Sequence, residues 1–166
     1  MASVRIVEVG PRDGLQNVAA KIPTATKLAL IQRLHGVGLQ HLERTSVVSP
    51  QAIPQLADCR DVLSDHNIRK LMSDPAVLAP VLIPNLKGLE VPLAKGIREV
   101  AVFVSAAEGF SKAKIRYSVQ EGLDPARQVA LKARLHGLAV RGYVPCIFAC
   151  PFDGPTPHSA VLDCTP

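Results

Sequence analysis

The residues of this chain best suited to chemistry are Arg12 and Asp13, which stand side by side within residues 8–17 (EVGPRDGLQN). They follow an apolar run, residues 4–9, that predicts a strand, and the Gly-Pro pair before them cannot continue it. Ligands of parallel α/β proteins bind at the carboxyl ends of the strands. An arginine there can stabilise a developing oxyanion, and an aspartate can hold a divalent metal. Because Asp-Gly is also a common turn dipeptide, a plain surface turn is the alternative.

The size and composition of the chain predict a single folded domain. Its 166 residues fit the usual length of one domain, and a hydrophobic content of 48% excludes a disordered chain. No apolar run approaches the roughly 18 residues of a membrane span, so we expect no membrane partner. The first predicted strand begins close to Met1, so we expect no signal or transit peptide unless Met1 follows a leader removed in processing.

The charge of the chain is moderately basic, with a formal net charge of +5 and a pI near 9.2. A basic surface suits an anionic substrate, but the 19 basic and 14 acidic residues are interspersed and form no basic block. Aromatic residues make up only 4%, too few for the platforms on which single-stranded nucleic acid stacks. We therefore expect no nucleic-acid partner.

The four cysteines predict a reduced protein. Cys146 and Cys150 are four residues apart and have no second pair at the spacing of a zinc site. The five histidines form neither an HxH nor an HExxH motif. Reduced thiols indicate an intracellular compartment, the cytoplasm or the mitochondrial matrix. We interpret Cys146 and Cys150 as packing residues rather than nucleophiles.

Strand and helix patterns alternate along the chain. Strands are predicted at residues 4–9, 41–47, 81–83, 99–104 and 139–148. Helices are predicted from Thr24, as the N-cap, to about residue 36, at 53–63, at 86–95 and from a Ser118 capping box to about residue 136, with room for a short helix within 64–79. Five β/α starts imply a parallel sheet with right-handed crossovers. Periodicity alone leaves an open sheet and a barrel as alternatives.

Three prolines conflict with these predicted elements. Pro92 and Pro125 fall inside predicted helices, where each costs about 3 kcal/mol or more. Pro145 falls inside the fifth predicted strand, where it removes a hydrogen-bond donor from the sheet. The alternative is that the predicted boundaries are displaced by about two to four residues.

Six further segments follow residues 8–17 in order, and together they resemble the 3-hydroxy-3-methylglutaryl-CoA lyase family. They are residues 42–50 (LERTSVVSP), 54–58 (PQLAD), 81–89 (VLIPNLKGL), 99–107 (EVAVFVSAA), 140–144 (VRGYV) and 150–154 (CPFDG). The resemblance covers nearly the whole chain. It implies an α/β fold with parallel strands, a partial (β/α)8 TIM barrel of about the first five β/α units, so that residues 1–166 form an incomplete barrel domain.

The resemblance also implies a reaction, a cofactor and partners. Enzymes of this family cleave 3-hydroxy-3-methylglutaryl-CoA to acetoacetate and acetyl-CoA with a divalent metal, Mg²⁺ or Mn²⁺. The expected partner is therefore an acyl-CoA substrate, and a full-length relative is expected to form a homodimer.

Site residues follow from the same resemblance, position by position. Arg12, Asp13 and Glu43 match catalytic residues, and Asp13 matches a metal ligand. Arg12, Gln16 and Ser46 match substrate-binding positions. The plainer alternatives are a turn aspartate at Asp13, an ordinary ion pair at Arg12 or Glu43, and loop hydrogen bonds at Gln16 and Ser46.

The chain also departs from the family pattern. An HxH pair, an asparagine and a loop cysteine that complete the family's site have no match in these residues. Lys114 replaces an asparagine, Arg44 a small residue and Pro145 a serine. We therefore expect a carbon–carbon lyase whose 166 residues are inactive alone. The alternative is a non-catalytic remnant that acts, if at all, as an interaction fragment through exposed strand edges.

Overall fold

The fold is built on a four-stranded parallel sheet. The structure is a computed structural model, and it describes residues 4–164. The strands, in spatial order, are β1 (Thr45–Ser46), β2 (Val81–Leu82), β3 (Glu99–Phe103) and β4 (Ala139–Tyr143). All three pairings between neighbours are parallel, and the order in space follows the order in sequence. Two shorter strands, β5 (Ala149–Cys150) and β6 (Gly154–Pro155), form a separate antiparallel pair.

Helices connect the parallel strands and follow them. They are α1 (Thr24–Gly36), α2 (Cys59–Ser64), α3 (His66–Ser73), α4 (Leu86–Ala94), α5 (Glu108–Lys114), α6 (Val119–Leu135) and α7 (His158–Asp163). A 3-10 turn, Pro54–Leu56, precedes α2, and a five-residue π turn, Gly10–Gly14, precedes α1. Within residues 4–164, no helix is both long and apolar enough to cross a membrane. The alternating strands and helices confirm the predicted α/β class.

The hydrophobic core lies between the sheet and its helices. Val100 and Ala101 are neighbours in β3 and are both fully buried. Because neighbouring residues of a strand point to opposite faces, both faces of β3 are covered. Val81 from β2, Leu89 from α4 and Val129 from α6 belong to the same core cluster. The β-branched run in β3 therefore packs as a doubly covered parallel strand should.

Helices with local end signals are confirmed. The Ser118 hydroxyl accepts a hydrogen bond from the Glu121 N–H at 3.2 Å, and the Glu121 carboxylate accepts one from the Ser118 N–H at 2.8 Å. The bond from the Ser118 N–H lowers the pKa of Glu121, because it favours the charged carboxylate. The short helix expected within residues 64–79 is α3, which the Asp65 side chain caps through the Ile68 N–H at 3.0 Å.

Two helix predictions need correction. Thr24 is the first residue of α1 and not its N-cap, which is Pro23. The Thr24 hydroxyl instead donates to Asp58 at 2.7 Å, and the buried ammonium of Lys27 pairs with the same carboxylate at 2.7 Å. The helix predicted at 53–63 is divided into the 3-10 turn and α2, with Asp58 as the N-cap of α2. This carboxylate therefore ties α1 to the start of α2.

The two strands predicted first are much shorter than expected. Residues 4–9 form no strand, and only Glu8 makes a single parallel bridge, to Leu42. Residues 41–47 shorten to β1 and isolated bridges at His41 and Leu42. Val4 and Ile6 are 91% and 78% exposed. Their side chains therefore do not pack against a neighbouring strand, and packing is what stabilises residues in a sheet.

The three prolines have different outcomes. Pro92 and Pro125 do lie inside α4 and α6. Pro145 lies beyond the end of β4 at Tyr143, so the strand predicted at 139–148 is wrong after residue 143. The strand ends before Pro145 would have to donate a hydrogen bond to a neighbour, so this conflict disappears.

Replacing the interior proline of α6 should stabilise the protein. Pro125→Ala restores a backbone donor inside a 17-residue helix. We expect the free energy of unfolding to rise by about 2 kcal/mol, the proline cost less the gain in unfolded-chain entropy. Urea denaturation measures it, with Asp124→Ala as the surface control on the same helix. A loss of stability in Pro125→Ala would mean that the proline packs better than alanine at this position.

Candidate active site

A cleft of about 650 Å³ lies at the carboxyl ends of the parallel strands. The last residue of β2, Leu82, and the last residue of β3, Phe103, form part of its wall. Arg12, Asp13 and Gln16 lie in the same wall. The cleft is thus where the sequence predicts ligand binding, and its volume is that of an ordinary small-molecule site.

A tight backbone turn fixes Arg12 and Asp13 in this wall. Their N–H groups both donate to the Val9 carbonyl, at 3.0 and 2.7 Å, within the π turn Gly10–Gly14. The Gly10 N–H donates to the Glu8 carboxylate at 2.5 Å. A Cβ atom at Gly10 would lie 2.7 Å from that carboxylate, so a larger residue there would displace the Glu8 side chain. The segment is a turn, as the plainer alternative held, but it is a turn that aims two charged side chains.

Arg12 is held by two carboxylates and an aromatic ring. Its Nε donates to Glu43 Oε1 at 2.6 Å and its Nη1 to Asp13 Oδ1 at 2.7 Å. Its guanidinium carbon lies 5.7 Å from the centre of the Tyr143 ring. Arg12 is 6% exposed and Glu43 is fully buried, so this is a buried ion pair. The three residues predicted as catalytic are therefore in contact.

Tyr143 belongs to the same network, and sequence reasoning missed it. Its hydroxyl donates to Glu43 Oε2, so both carboxylate oxygens of Glu43 accept a hydrogen bond. Burial, together with the bond to Glu43 and its negative charge, raises the pKa of Tyr143. The predicted strand 139–148 placed Tyr143 in mid-strand. With β4 ending at residue 143, its side chain stands at the carboxyl end, where site residues are expected.

The two other predicted substrate-binding residues differ in position. The Gln16 amide donates to Asp13 Oδ1 at 2.9 Å and lies in the cleft wall. Ser46 is buried, its hydroxyl donates to the Leu82 carbonyl at 3.1 Å, and it does not line the cleft. The role of Gln16 and that of Ser46 both stay predictions, although only Gln16 faces the space that a ligand would occupy.

The described residues do not fit a complete divalent-metal site. Across residues 4–164, no group of three or more histidine, cysteine, aspartate or glutamate side chains is placed to hold a metal ion. Asp13 is half-exposed, and its Oδ1 already accepts bonds from Arg12 and Gln16. A hard divalent cation needs about six oxygen ligands, so Asp13 can be one ligand but not a site.

Two residues that break the family pattern lie in different places. Lys114 lies in the wall of the cleft. Arg44 is buried behind the sheet, where it donates to the Ala79 carbonyl and contacts the Met72 sulfur. Burial, with a smaller contribution from the charge of Arg98, lowers the pKa of Arg44 to about 9.

The cysteines at the end of the chain have no nucleophilic setting. Cys150 is buried and Cys146 is half-buried, with a backbone φ of 60°. Burial, followed by the neighbouring Cys150, raises the pKa of Cys146 and so favours its neutral thiol. The interpretation of these residues as packing residues is consistent with that setting.

Comparison with known proteins gives one family. The sequence pattern of the HMGL-like family matches residues 3–164. The mitochondrial hydroxymethylglutaryl-CoA lyase of Arabidopsis thaliana is 49% identical over 158 residues, which are 95% of this chain and 33% of that protein. The 3-hydroxy-3-isohexenylglutaryl-CoA/hydroxymethylglutaryl-CoA lyase of Pseudomonas aeruginosa is 44% identical over 91% of this chain and 49% of its own length.

Solved structures show the same similarity in three dimensions. The hydroxymethylglutaryl-CoA lyase structure from Pseudomonas aeruginosa superposes with a TM-score of 0.85 at 43% identity, over 95% of this chain and 51% of that one. The lyase from Bacillus subtilis gives a TM-score of 0.86 at 37% identity, over 96% and 52%. The chain thus spans a third to about half the length of these relatives, and its sheet is confirmed as part of a TIM barrel.

Loss of the Tyr143 hydroxyl should destabilise the fold. Tyr143→Phe leaves one oxygen of the fully buried Glu43 without its donor. We expect the free energy of unfolding to fall by about 1–3 kcal/mol. Urea denaturation measures it, and Tyr117→Phe, at a 52% exposed tyrosine, is the matched control with a change under about 0.5 kcal/mol. Equal effects of the two substitutions would show that the bond to Glu43 is not stabilising.

Proposed function

The chain belongs to the HMGL-like family, and from this premise we propose that it carries part of the active site of a carbon–carbon lyase. The proposed reaction cleaves 3-hydroxy-3-methylglutaryl-CoA to acetoacetate and acetyl-CoA. The observation that carries the proposal is the guanidinium of Arg12, which two carboxylates and Tyr143 hold in the wall of the cleft.

Arg12 is the residue that would stabilise the enolate. In the proposed reaction the tertiary alcohol loses its proton, the carbon–carbon bond breaks, and negative charge develops on the thioester oxygen before that enolate is protonated. A guanidinium carries five N–H donors, and the bonds to Glu43 and Asp13 use two of them. The other donors are available to an oxyanion in the cleft. Because Glu43 fixes the guanidinium in advance, little reorganisation is needed when the charge develops.

Glu43 and Tyr143 are proposed as positioning residues. Glu43 is fully buried and bonded through both oxygens, so it does not reach the cleft itself. Its charge balances that of Arg12, and its geometry sets the orientation of the guanidinium. Tyr143 in turn holds the second oxygen of Glu43 and covers the guanidinium with its ring.

Asp13 and Gln16 are proposed to face the reacting end of the substrate. Asp13 is the described residue that we propose as a ligand of Mg²⁺ or Mn²⁺, and Gln16 fixes the orientation of its carboxylate through a bond of 2.9 Å. One carboxylate does not make a metal site, so no step is assigned to the metal here.

The substrate class, assembly and compartment are part of the same proposal. The relatives are named as lyases of hydroxymethylglutaryl-CoA, and one also of an isohexenyl analogue. We propose an acyl-CoA substrate and, for a full-length relative, a homodimer. Relatives are named as mitochondrial in Gallus gallus and as cytoplasmic in Danio rerio, so either compartment fits.

An interaction role is the second candidate, and exposed apolar side chains favour it. Ile147 and Phe148 just before β5, and Phe152 between β5 and β6, are 41%, 84% and 57% exposed. Such a group usually marks a surface that another polypeptide covers. Self-association of a chain that binds no acyl-CoA would favour this candidate over the lyase.

Substrate binding tests the role of Arg12. We expect the 166-residue chain to bind 3-hydroxy-3-methylglutaryl-CoA, and Arg12→Gln to weaken the binding about tenfold or more, the value of a charge-assisted hydrogen bond. Isothermal titration calorimetry measures the affinity, and circular dichroism checks that the variant is folded. Arg127→Gln, at an exposed ion pair outside the cleft, is the matched control. Equal affinity in a folded Arg12→Gln variant would remove Arg12 from the site.

The chain alone should not turn over substrate. It spans a third to about half the length of its relatives, and catalytic residues that act as a set fail together. A coupled assay for acetoacetate, with Mg²⁺ or Mn²⁺ present, should give no signal above the uncatalysed rate. Turnover near the roughly 10 per second of a typical enzyme would show that the described residues suffice for the chemistry.

A further inference from the structure

The cleft contains a second cation, far along the chain from Arg12. Lys114, the last residue of α5, is exposed and lines the same cleft. Three side chains of the lining carry a formal charge: Arg12, Asp13 and Lys114. Arg12 and Asp13 pair with each other at 2.7 Å. Over residues 4–164, no carboxylate lies within 4.0 Å of the Lys114 ammonium, so its charge faces the cleft unbalanced.

The backbone on both sides of Lys114 is firmly held. The start of α5 is anchored by the Gly109 N–H, which donates to the Asp153 carboxylate at 2.7 Å. Beyond Lys114, the N–H groups of Ile115 and Arg116 both donate to the Ser111 carbonyl, at 2.8 and 3.1 Å. Arg116 adopts a left-handed φ of 67° to let the chain turn there. The Cα atom of Lys114 is therefore held in place at the cleft wall.

A helix C-terminus favours a lysine for its own sake, through the helix dipole. Lys112 is an example of a lysine that the dipole alone explains. It lies on the same helix, pairs with Glu108 at 3.6 Å and does not line the cleft. Lys114 differs in both respects. The other lining residues from β3, α5 and the turn after it are Phe103, Phe110, Ile115 and Tyr117, so Lys114 is the charged side chain that this part of the chain gives the cleft.

We propose that Lys114 binds a phosphate of the ligand's CoA moiety while Arg12 holds the acyl end. The inference rests on the proposed acyl-CoA substrate and adds a specificity residue to the same cleft. A ligand with an anionic acyl end and a phosphorylated tail suits a cleft whose lining contains two cations together with apolar side chains. The ammonium acts as a point charge toward phosphate and needs no fixed geometry to do so.

The test compares ligands with and without phosphate. CoA and pantetheine share the thiol arm, but pantetheine carries no phosphate, so a contact to phosphate affects CoA alone. Calorimetry on the 166-residue chain should show that Lys114→Gln weakens CoA binding about fivefold at low salt, the upper range for an exposed ion pair. Pantetheine should bind both proteins equally, and the CoA difference should shrink in 1 M salt. Lys112→Gln, the matched control, should change neither affinity.

Each outcome decides something. An unchanged CoA affinity in Lys114→Gln overturns the inference and leaves the proposed function standing. An equal loss for CoA and pantetheine assigns Lys114 to the shared thiol arm and also overturns it. Failure of the unaltered chain to bind CoA or 3-hydroxy-3-methylglutaryl-CoA overturns the proposed function, and this inference with it.

Discussion

The structure depends on the burial of one carboxylate, that of Glu43. A buried ionised carboxylate is costly unless it is paired and fully hydrogen-bonded. Its two oxygens take one bond from Arg12 and one from Tyr143, residues 31 and 100 positions away along the chain. The first loop, the segment before β1 and the end of β4 therefore have to meet at one point.

The hydrogen bond between Tyr143 and Glu43 also requires the sheet to bend. Glu43 precedes β1 and Tyr143 ends β4, and these are the two outer strands of the four. In a flat sheet, strands three places apart are separated by about 14 Å, too far for these two side chains to form a hydrogen bond. The bond requires the sheet to curve around Glu43, as the wall of a barrel does. The short β1 strand is thus held by a buried polar network as well as by its ladder to β2.

The sequence predicts the features whose signals are local. The Ser118 capping box and the buried β-branched run of β3 depend on neighbouring residues, and both appear as expected. Strand lengths depend on what lies beside each strand, which a single sequence does not contain. The strand predicted at 4–9 therefore does not form, and the strand predicted at 139–148 ends at residue 143. The second error concealed Tyr143, since a residue in mid-strand gives no reason to expect a site. Arg12 and Asp13 are indicated by their place after the first apolar run and Glu43 by the resemblance, whereas the contact between them is visible only in the structure.

Arg44 and Lys114, two residues that depart from the family pattern, differ in whether they reach the cleft. Glu43 and Arg44 are adjacent near a strand, so their side chains point to opposite faces. Glu43 faces the network of the cleft, and Arg44 faces the layer between sheet and helices, where its Nε is buried without a hydrogen-bond partner among the described residues. Arg44 therefore does not touch the site, whereas Lys114 adds charge to the cleft. Arg12 pairs with both Glu43 and Asp13, so neither carboxylate is left without a cation. Lys114 is therefore the cation of the cleft lining that pairs with no carboxylate among residues 4–164, and this free charge suits the phosphate of the proposed acyl-CoA ligand.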